Sequence, residues 1–227
     1  MSVHLQKEVE KIKKKLMQLA TVVEENVRKA VISVSTRNEQ LAREVISADD
    51  EVDKFEVELE EECMKVLALH QPVAADLRYV IACLKINNDL ERIGDLAVNI
   101  AQRSLAIAEK KDGKVPVDFS SIMERTQVML SKTLDSVIEF SPTKAREVCE
   151  MDEEIDKLNR DIHEEIVRLI KEKPNRTRYF LHMLGVSRQL ERIADYATNI
   201  CEDVIYMIDG KIIRHQKQIQ SPIPSDE

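Results

Sequence analysis

A chain of 227 residues with 43% hydrophobic and 33% charged side chains can bury one large core or two small ones beneath wide solvated faces. Its formal net charge of −8 argues against a nucleic-acid partner; the basic groups Lys11, Lys13, Lys14, Lys15 and Lys211, Arg214, Lys217 are short and read as solvated surface. Only four Gly and six Pro, against abundant Leu, Glu, Lys, Arg, Ala and Met, make helices the default.

From Leu5 the apolar residues run Val9, Ile12, Leu16, Leu19, Val23, Val27, Ala30 and Val34. Steps of four and three mark a long amphipathic helix along a bundle, expected to continue past Leu41 and Val45 to about Ala48. A second helix, about 50–70, carries Val52, Phe55, Leu59, Cys63 and Val66 on one face. Gln71-Pro72 breaks it, because Pro has no N–H and clashes with the preceding turn. A third helix follows, about 73–110, with Leu77, Val80 or Ile81, and Leu84 expected to face the core. The run from Lys111 to Pro116 reads as a linker.

The pattern then repeats: helices over about 120–141, continuing to about Glu150, then 153–172, then 177–208 before Asp209-Gly210, a C-cap signal. Ala42-Arg-Glu-Val45 recurs as Ala145-Arg-Glu-Val148, and Asp49-Asp-Glu-Val-Asp-Lys54 as Asp152-Glu-Glu-Ile-Asp-Lys157, both 103 residues on. Leu90-Glu-Arg-Ile-Gly-Asp-Leu-Ala-Val-Asn-Ile100 recurs 100 residues on as Leu190-Glu-Arg-Ile-Ala-Asp-Tyr-Ala-Thr-Asn-Ile200, identical at eight of eleven positions. The fold expected is therefore all-α, two tandem three-helix bundles (six helices) from an internal duplication. The bundles should span 1–112 and 117–214, with 215–227 a disordered tail.

The repeated blocks hold carboxylates four apart: Asp49/Asp53, Glu91/Asp95, Asp152/Asp156 and Glu191/Asp195. Such spacing sets two like charges side by side on one helix face, at a cost of a few tenths of a kcal/mol (~0.2–0.5) unless something offsets it. Asn99 and Asn199 extend each row by one turn. Following the core stripe of the third helix by fours and threes leads to Asn88, Glu91 and Asp95, and in the second half to Arg188, Glu191 and Asp195. The parallel stripe Leu90, Ile93, Ala97, Ile100 keeps the helix anchored, which places the acids at the edge of the core.

Residues equidistant from a hairpin turn lie level with one another. A turn centred on Pro72 sets Asp53 beside Glu91 and Asp49 beside Asp95; one between Lys173 and Pro174 does the same for Asp156 with Glu191 and Asp152 with Asp195. Four neighbouring carboxylates raise one another's pKa, and a cation relieves them. All-oxygen ligands select a hard ion: iron, manganese, magnesium or calcium. The competing readings are that Asp49 and Asp152 are helix N-caps, or that Arg92, Arg192, Lys54 and Lys157 neutralise the acids as salt bridges.

Cys63, Cys83, Cys149 and Cys201 lie far apart in apolar helical patterns and read as buried reduced thiols of a cytoplasmic protein. No window approaches the ~20 apolar residues of a membrane span, so the chain would reach a membrane only through partners. The histidines form no E-x-x-H pair of the di-iron bundle kind, and no nucleophile motif or glycine-rich phosphate loop is present.

A duplicated three-helix bundle with Glu91-Arg-Ile-Gly-Asp95 and Glu191-Arg-Ile-Ala-Asp195 on its third helices, and with Gln71-Pro72 and Asp76-Leu-Arg78 opening the first of them, resembles the PhoU family from Leu5 to about Arg214. The second half departs from it over Lys171 to Thr177, which lacks the Gln-Pro and Asp-Leu-Arg run. The resemblance implies a cytoplasmic, non-enzymatic, homodimeric regulator that binds multinuclear metal clusters through these acid pairs. It also implies restraint of phosphate uptake and of the phosphate-starvation response, through the phosphate ABC transporter and the phosphate-sensing histidine kinase. A carboxylate-bridged oxidase or metal store, and a metal-free helical adaptor, remain the alternatives.

Overall fold

The computed structural model describes residues 3–109 and 115–213. The expected tail from residue 215, and most of the linker, lie outside those residues. Among the described residues there are eight α-helices: α1 Val3–Thr36, α2 Glu39–Ser47, α3 Asp49–His70, α4 Ala74–Ala108, α5 Ser120–Glu139, α6 Pro142–Cys149, α7 Asp152–Glu172 and α8 Thr177–Asp209, with a 3-10 turn over Pro174–Arg176 before the last. The six long helices form the two three-helix bundles that the duplication requires.

The short helix α2 corrects the expectation that the first helix of the chain runs on to about Ala48, and α6 is the continuation expected after Ser141-Pro142. Arg37 takes a left-handed φ of 54°, and the Asn38 side chain then accepts from the N–H groups of Gln40 and Leu41, at 3.0 and 3.2 Å. At the equivalent place Phe140 has φ 52°, Ser141 accepts from the Lys144 N–H at 3.3 Å, and Pro142 stands at the first helical position. A capping side chain satisfies N–H groups a helix start would leave bare, so each break is locally stabilised. The repeated Ala-Arg-Glu-Val blocks are the cores of these short helices: Ala42 and Val45 are buried in α2, as Ala145 and Val148 are in α6.

The long stripes otherwise fall as read. Ile12, Leu19, Val23 and Ala30 of α1 are wholly buried, as are Leu59 and Cys63 of α3. In α4, Val80, Cys83, Ile86 and Leu90 carry the core, whereas Leu77, expected to face it, is 39% exposed. The reason is local: α4 begins at Ala74, and Ala74 and Ala75 are exposed with Leu77, so its first turn is left largely uncovered. Gln71 closes α3 in a left-handed conformation, and Gly210 does so for α8, its N–H donating to the Tyr206 carbonyl at 2.9 Å.

The third helices of the two halves form the centre. Lys85 of α4 meets Asp203 of α8 at 3.3 Å, and Arg103 of α4 lies against Gly185 of α8, so the pair runs antiparallel. Buried side chains from both halves form one continuous hydrophobic cluster around them. Cys63, Cys83 and Cys201 are buried free thiols, and Cys149 is partly covered. Burial pushes the Cys63 and Cys83 thiols up to about 12, as suits inert core residues.

Gly94 sets the spacing between α3 and α4. A Cβ built there would stand 3.0 Å from Cγ1 of Val52. Gly94→Leu is expected to overpack this contact and cost about 1–3 kcal/mol. Urea unfolding measures it; an unchanged midpoint would mean that α3 can move away freely.

Candidate metal centre

The acids sit where the turns put them. The α3–α4 connection spans residues 71–73, centred on Pro72, and the α7–α8 connection lies at Lys173 and the 3-10 turn after it. Glu91 feels the charge of Asp53, and Asp49 that of Asp95. In the second half Glu191 and Asp195 each feel both Asp152 and Asp156. The two level quartets of carboxylates are thus present, each along one two-helix seam.

The seam is at the core edge. Leu90, Ile93, Ala97 and Ile100 of α4 are fully buried, while Glu91 beside them is half-buried and Asp95 exposed. Val52 and Ile155 are buried between the acids of α3 and α7, anchoring each helix so that its aspartates flank the seam. Partial burial and like charge act together on the carboxyls. Asp49 and Glu91 are raised by desolvation and then by neighbouring acids, Glu91 against a lowering effect of Arg92. Glu191 is raised likewise, and Asp195 is raised to about 6, with Glu191, Asp152 and Asp156 adding to its desolvation.

Asn99 and Asn199 extend their rows beyond the first residue of α3 or α7, alongside α2 and α6; Asn99 is exposed and Asn199 half-buried. Among the described residues no three acidic, histidine or cysteine side chains close around one point, so each quartet is an open strip.

The helix-cap reading does not hold for Asp49 and Asp152, whereas the salt-bridge reading holds in part, for Arg92 with Glu91. The N-caps of α3 and α7 are Ala48 and Met151, with no side-chain cap bond, and Asp49 and Asp152 are the first helical residues. Lys54 pairs with Glu58 at 4.0 Å rather than with the strip, whereas Arg92 pairs with Glu91 at 3.9 Å and offsets part of its shift. What sequence reasoning missed is Glu56. Its carboxyl is raised by burial, Glu60 and Asp53, and its charge reaches Glu91. The row 49, 53, 56, 60, spaced four, three and four, was there to find; in the second half it reads Asp152, Asp156, Asn159, His163. The first strip is the more acidic, because Arg188 and Arg192 both lower Glu191 in the second.

The donor set suits a hard cation. Its ligands would be carboxylate oxygens, with amide oxygens at the row ends, and charges in excess of the cations beside them. Among the described residues no helix is long and apolar enough to cross a membrane.

The PhoU domain model matches this chain twice, over residues 16–104 and 119–204. The chain is 37% identical over 210 residues to a phosphate-specific transport system accessory protein PhoU homolog of Aquifex aeolicus, covering 92% of this chain and 95% of the relative. It is 34% identical to the corresponding homolog of Pseudomonas aeruginosa, over 92% of this chain and 86% of that one. The crystal structure of PhoU from Pseudomonas aeruginosa superposes with a TM-score of 0.87 at 33% identity, covering 91% of this chain and 99% of the other. The phosphate transport system regulatory protein PhoU from Streptococcus pneumoniae gives 0.84 at 27% identity, over 92% and 99%. With both bundles matched and the seam acids at equivalent places in each, the chain belongs to the PhoU family, whose domain it carries twice.

Proposed function

We propose that this chain is an accessory regulator of a phosphate-specific transport system, acting by binding partners rather than by catalysis. The observation that carries it is the match, over 92% of the chain and both repeats, to relatives bearing that name. In the finer reading the chain is a cytoplasmic homodimer that holds the phosphate ABC transporter and the phosphate-sensing histidine kinase in their restrained states when phosphate is plentiful.

In the same proposal Asp49, Asp53, Glu91 and Asp95 hold cations on the first seam, and Asp152, Asp156, Glu191 and Asp195 on the second, with Asn99 and Asn199 as neutral oxygens. A bound cation supplies positive charge and ties two helices together. The raised carboxyls support this, since acids that repel one another gain most from a cation between them. The stiffened seams would then present a fixed helical surface to the membrane-bound partners.

Complementation tests it. In a bacterium lacking its own PhoU, with a phosphate-starvation reporter permanently on, this chain is expected to restore repression in phosphate-rich medium. A variant with Glu91, Asp95, Glu191 and Asp195 changed to Gln or Asn is expected to fold, to lose its metal by elemental analysis, and to leave the reporter on. A reporter that stays on with well-folded wild-type chain would overturn the regulatory assignment. Full repression by the metal-free variant would remove the seams from the mechanism and leave the rest.

A further inference from the structure

The two ends of the molecule derive from the same ancestral segment, yet their chemistry has diverged. At one end a cleft between the α3–α4 turn and the end of α8 is lined by Asp76, Tyr79, Phe140, Met207 and Ile208 among others, and by Arg78, the counterpart of Arg178. At the other end the equivalent cleft, about 450 Å³, lies between the C-terminus of α4 and the α7–α8 turn, lined by Glu109, Arg176, Arg178, Tyr179 and His182 among others. Arg176 replaces Asp76, and His182 replaces Ala82, each 100 residues on; Arg37 stands where the other repeat has Phe140. Arg37 donates to the Tyr179 hydroxyl at 3.1 Å, on the wall of the cleft.

Arg103 adds a further charge beside it. A Cβ on Gly185 would collide with the Arg103 guanidinium, so the missing side chain is what lets that group lie on α8. Its field and that of Arg178 reach His182, which burial and these two charges hold below its usual range. Among the described residues neither Arg103 nor Arg178 has an ion-pair partner, and Glu109 is the single carboxylate among the residues that line the cleft. In a chain of net charge −8, two guanidinium groups, Arg176 and Arg178, line a concave, partly covered space, and Arg103 and Arg37 stand beside its wall. Its size falls in the usual range for small-molecule clefts.

We propose that the cleft between the end of α4 and the α7–α8 turn binds a phosphate group, free or carried on a small molecule, through Arg178, Arg103 and the Arg37–Tyr179 pair. Guanidinium forks match the oxygens of a phosphoryl group and form charge-assisted hydrogen bonds with it. The site is separate from the acid seams and needs no metal.

Isothermal titration of full-length protein treated with EDTA, at low salt, tests it with two probes, inorganic phosphate and adenosine monophosphate. Chelation keeps any phosphate from binding through a metal on the seams. Binding of phosphate identifies the free ion as sufficient; binding of the monophosphate alone identifies a carried group. Arg178→Gln is expected to weaken whichever binds about tenfold, the effect of one lost charge-assisted contact. Gly185→Ala is expected to weaken it too, although it removes no charge, because it displaces the Arg103 guanidinium. Arg28→Gln, at a residue already paired with Glu25, removes the same charge and should change nothing. No binding of either probe at about 10 mM, or equal binding by a folded Arg103→Gln/Arg178→Gln double variant, overturns the proposal.

Discussion

Stripped of divalent ions, the protein is expected to lose stability as pH rises from 5 to 7.5, and Asp195→Asn is expected to flatten that loss. The sign follows from the direction of the shifts. Asp195 is raised to about 6 from 3.8 by partial desolvation along the seam and by Glu191, Asp152 and Asp156. A carboxyl that holds its proton more tightly when folded stabilises the fold below its unfolded pKa, and that contribution disappears as pH rises through the folded value. Asp49, Glu56, Glu91 and Glu191 are shifted in the same direction. Carboxyls shifted downward by ion pairs, such as Glu25 and Glu165, titrate below this window. His182, shifted down, works against the trend, so the comparison of wild type with Asp195→Asn is the decisive one. The bare shift corresponds to about 3 kcal/mol at 1.36 kcal/mol per pH unit, but Asp195 is exposed, and screening reduces it to about 1 kcal/mol. At pH 7.5 that is about 2–4 °C in Tm for a chain of this size.

Manganese or magnesium should reverse the slope. A cation competes with protons for the same oxygens, so the stabilisation it brings grows above pH 6. Ligand at about a hundred times its Kd adds about 2.7 kcal/mol. The variant with Glu91, Asp95, Glu191 and Asp195 neutralised should start more stable without metal and gain nothing from it. Scanning calorimetry over pH and ion concentration reads both effects. A flat metal-free profile would mean that solvent already relieves the acids, and an equal metal response in the variant would place any bound ion elsewhere.

Much of this was legible because helices are written locally. The four-and-three stripe of α1, the Pro72 break and the Gly210 cap each depend on residues within a turn or two of each other. The seam quartets needed one further step, that level residues flank a turn symmetrically, and the turn positions supplied it. The break before α2 was not anticipated, because the apolar stripe runs on through Leu41 and Val45 and hides a left-handed residue in a continuous pattern, whereas Ser141-Pro142 marked the one before α6. Asn38 was the available signal, being a good cap in the middle of an otherwise helical run. Leu77 was misplaced for a different reason: periodicity gives the face of a residue, not whether another helix extends far enough to cover it. Glu56 escaped because its equivalent, Asn159, carries no charge, and a search for repeated acid pairs passes over a position that only one half keeps acidic.

Leu90→Ala is expected to bring down the whole molecule rather than its first half alone. Leu90 is fully buried on α4, beside the seam and close to the centre of the antiparallel α4–α8 pair. Truncation removes buried methyl groups and leaves a cavity, at a cost of about 2–5 kcal/mol. For a chain of this size that lowers Tm by roughly 5–15 °C. Leu190, its counterpart on α8, is equally buried and should cost the same within about 1 kcal/mol. The more informative result is the number of transitions. Buried residues of both halves form one cluster around α4 and α8, so neither half can unfold without exposing the partner's central helix to water. A single calorimetric transition, with calorimetric and van't Hoff enthalpies equal, is expected in wild type and in both variants. Three of the four tyrosines, Tyr179, Tyr196 and Tyr206, lie in the second half, so their near-ultraviolet circular dichroism reports on the repeat that Leu90→Ala does not touch. That signal should be lost at the same lowered temperature as total helicity. If instead it persisted to the wild-type Tm while half the helicity melted early, the two copies would be energetically separate domains, and metal on one seam could not stiffen the other.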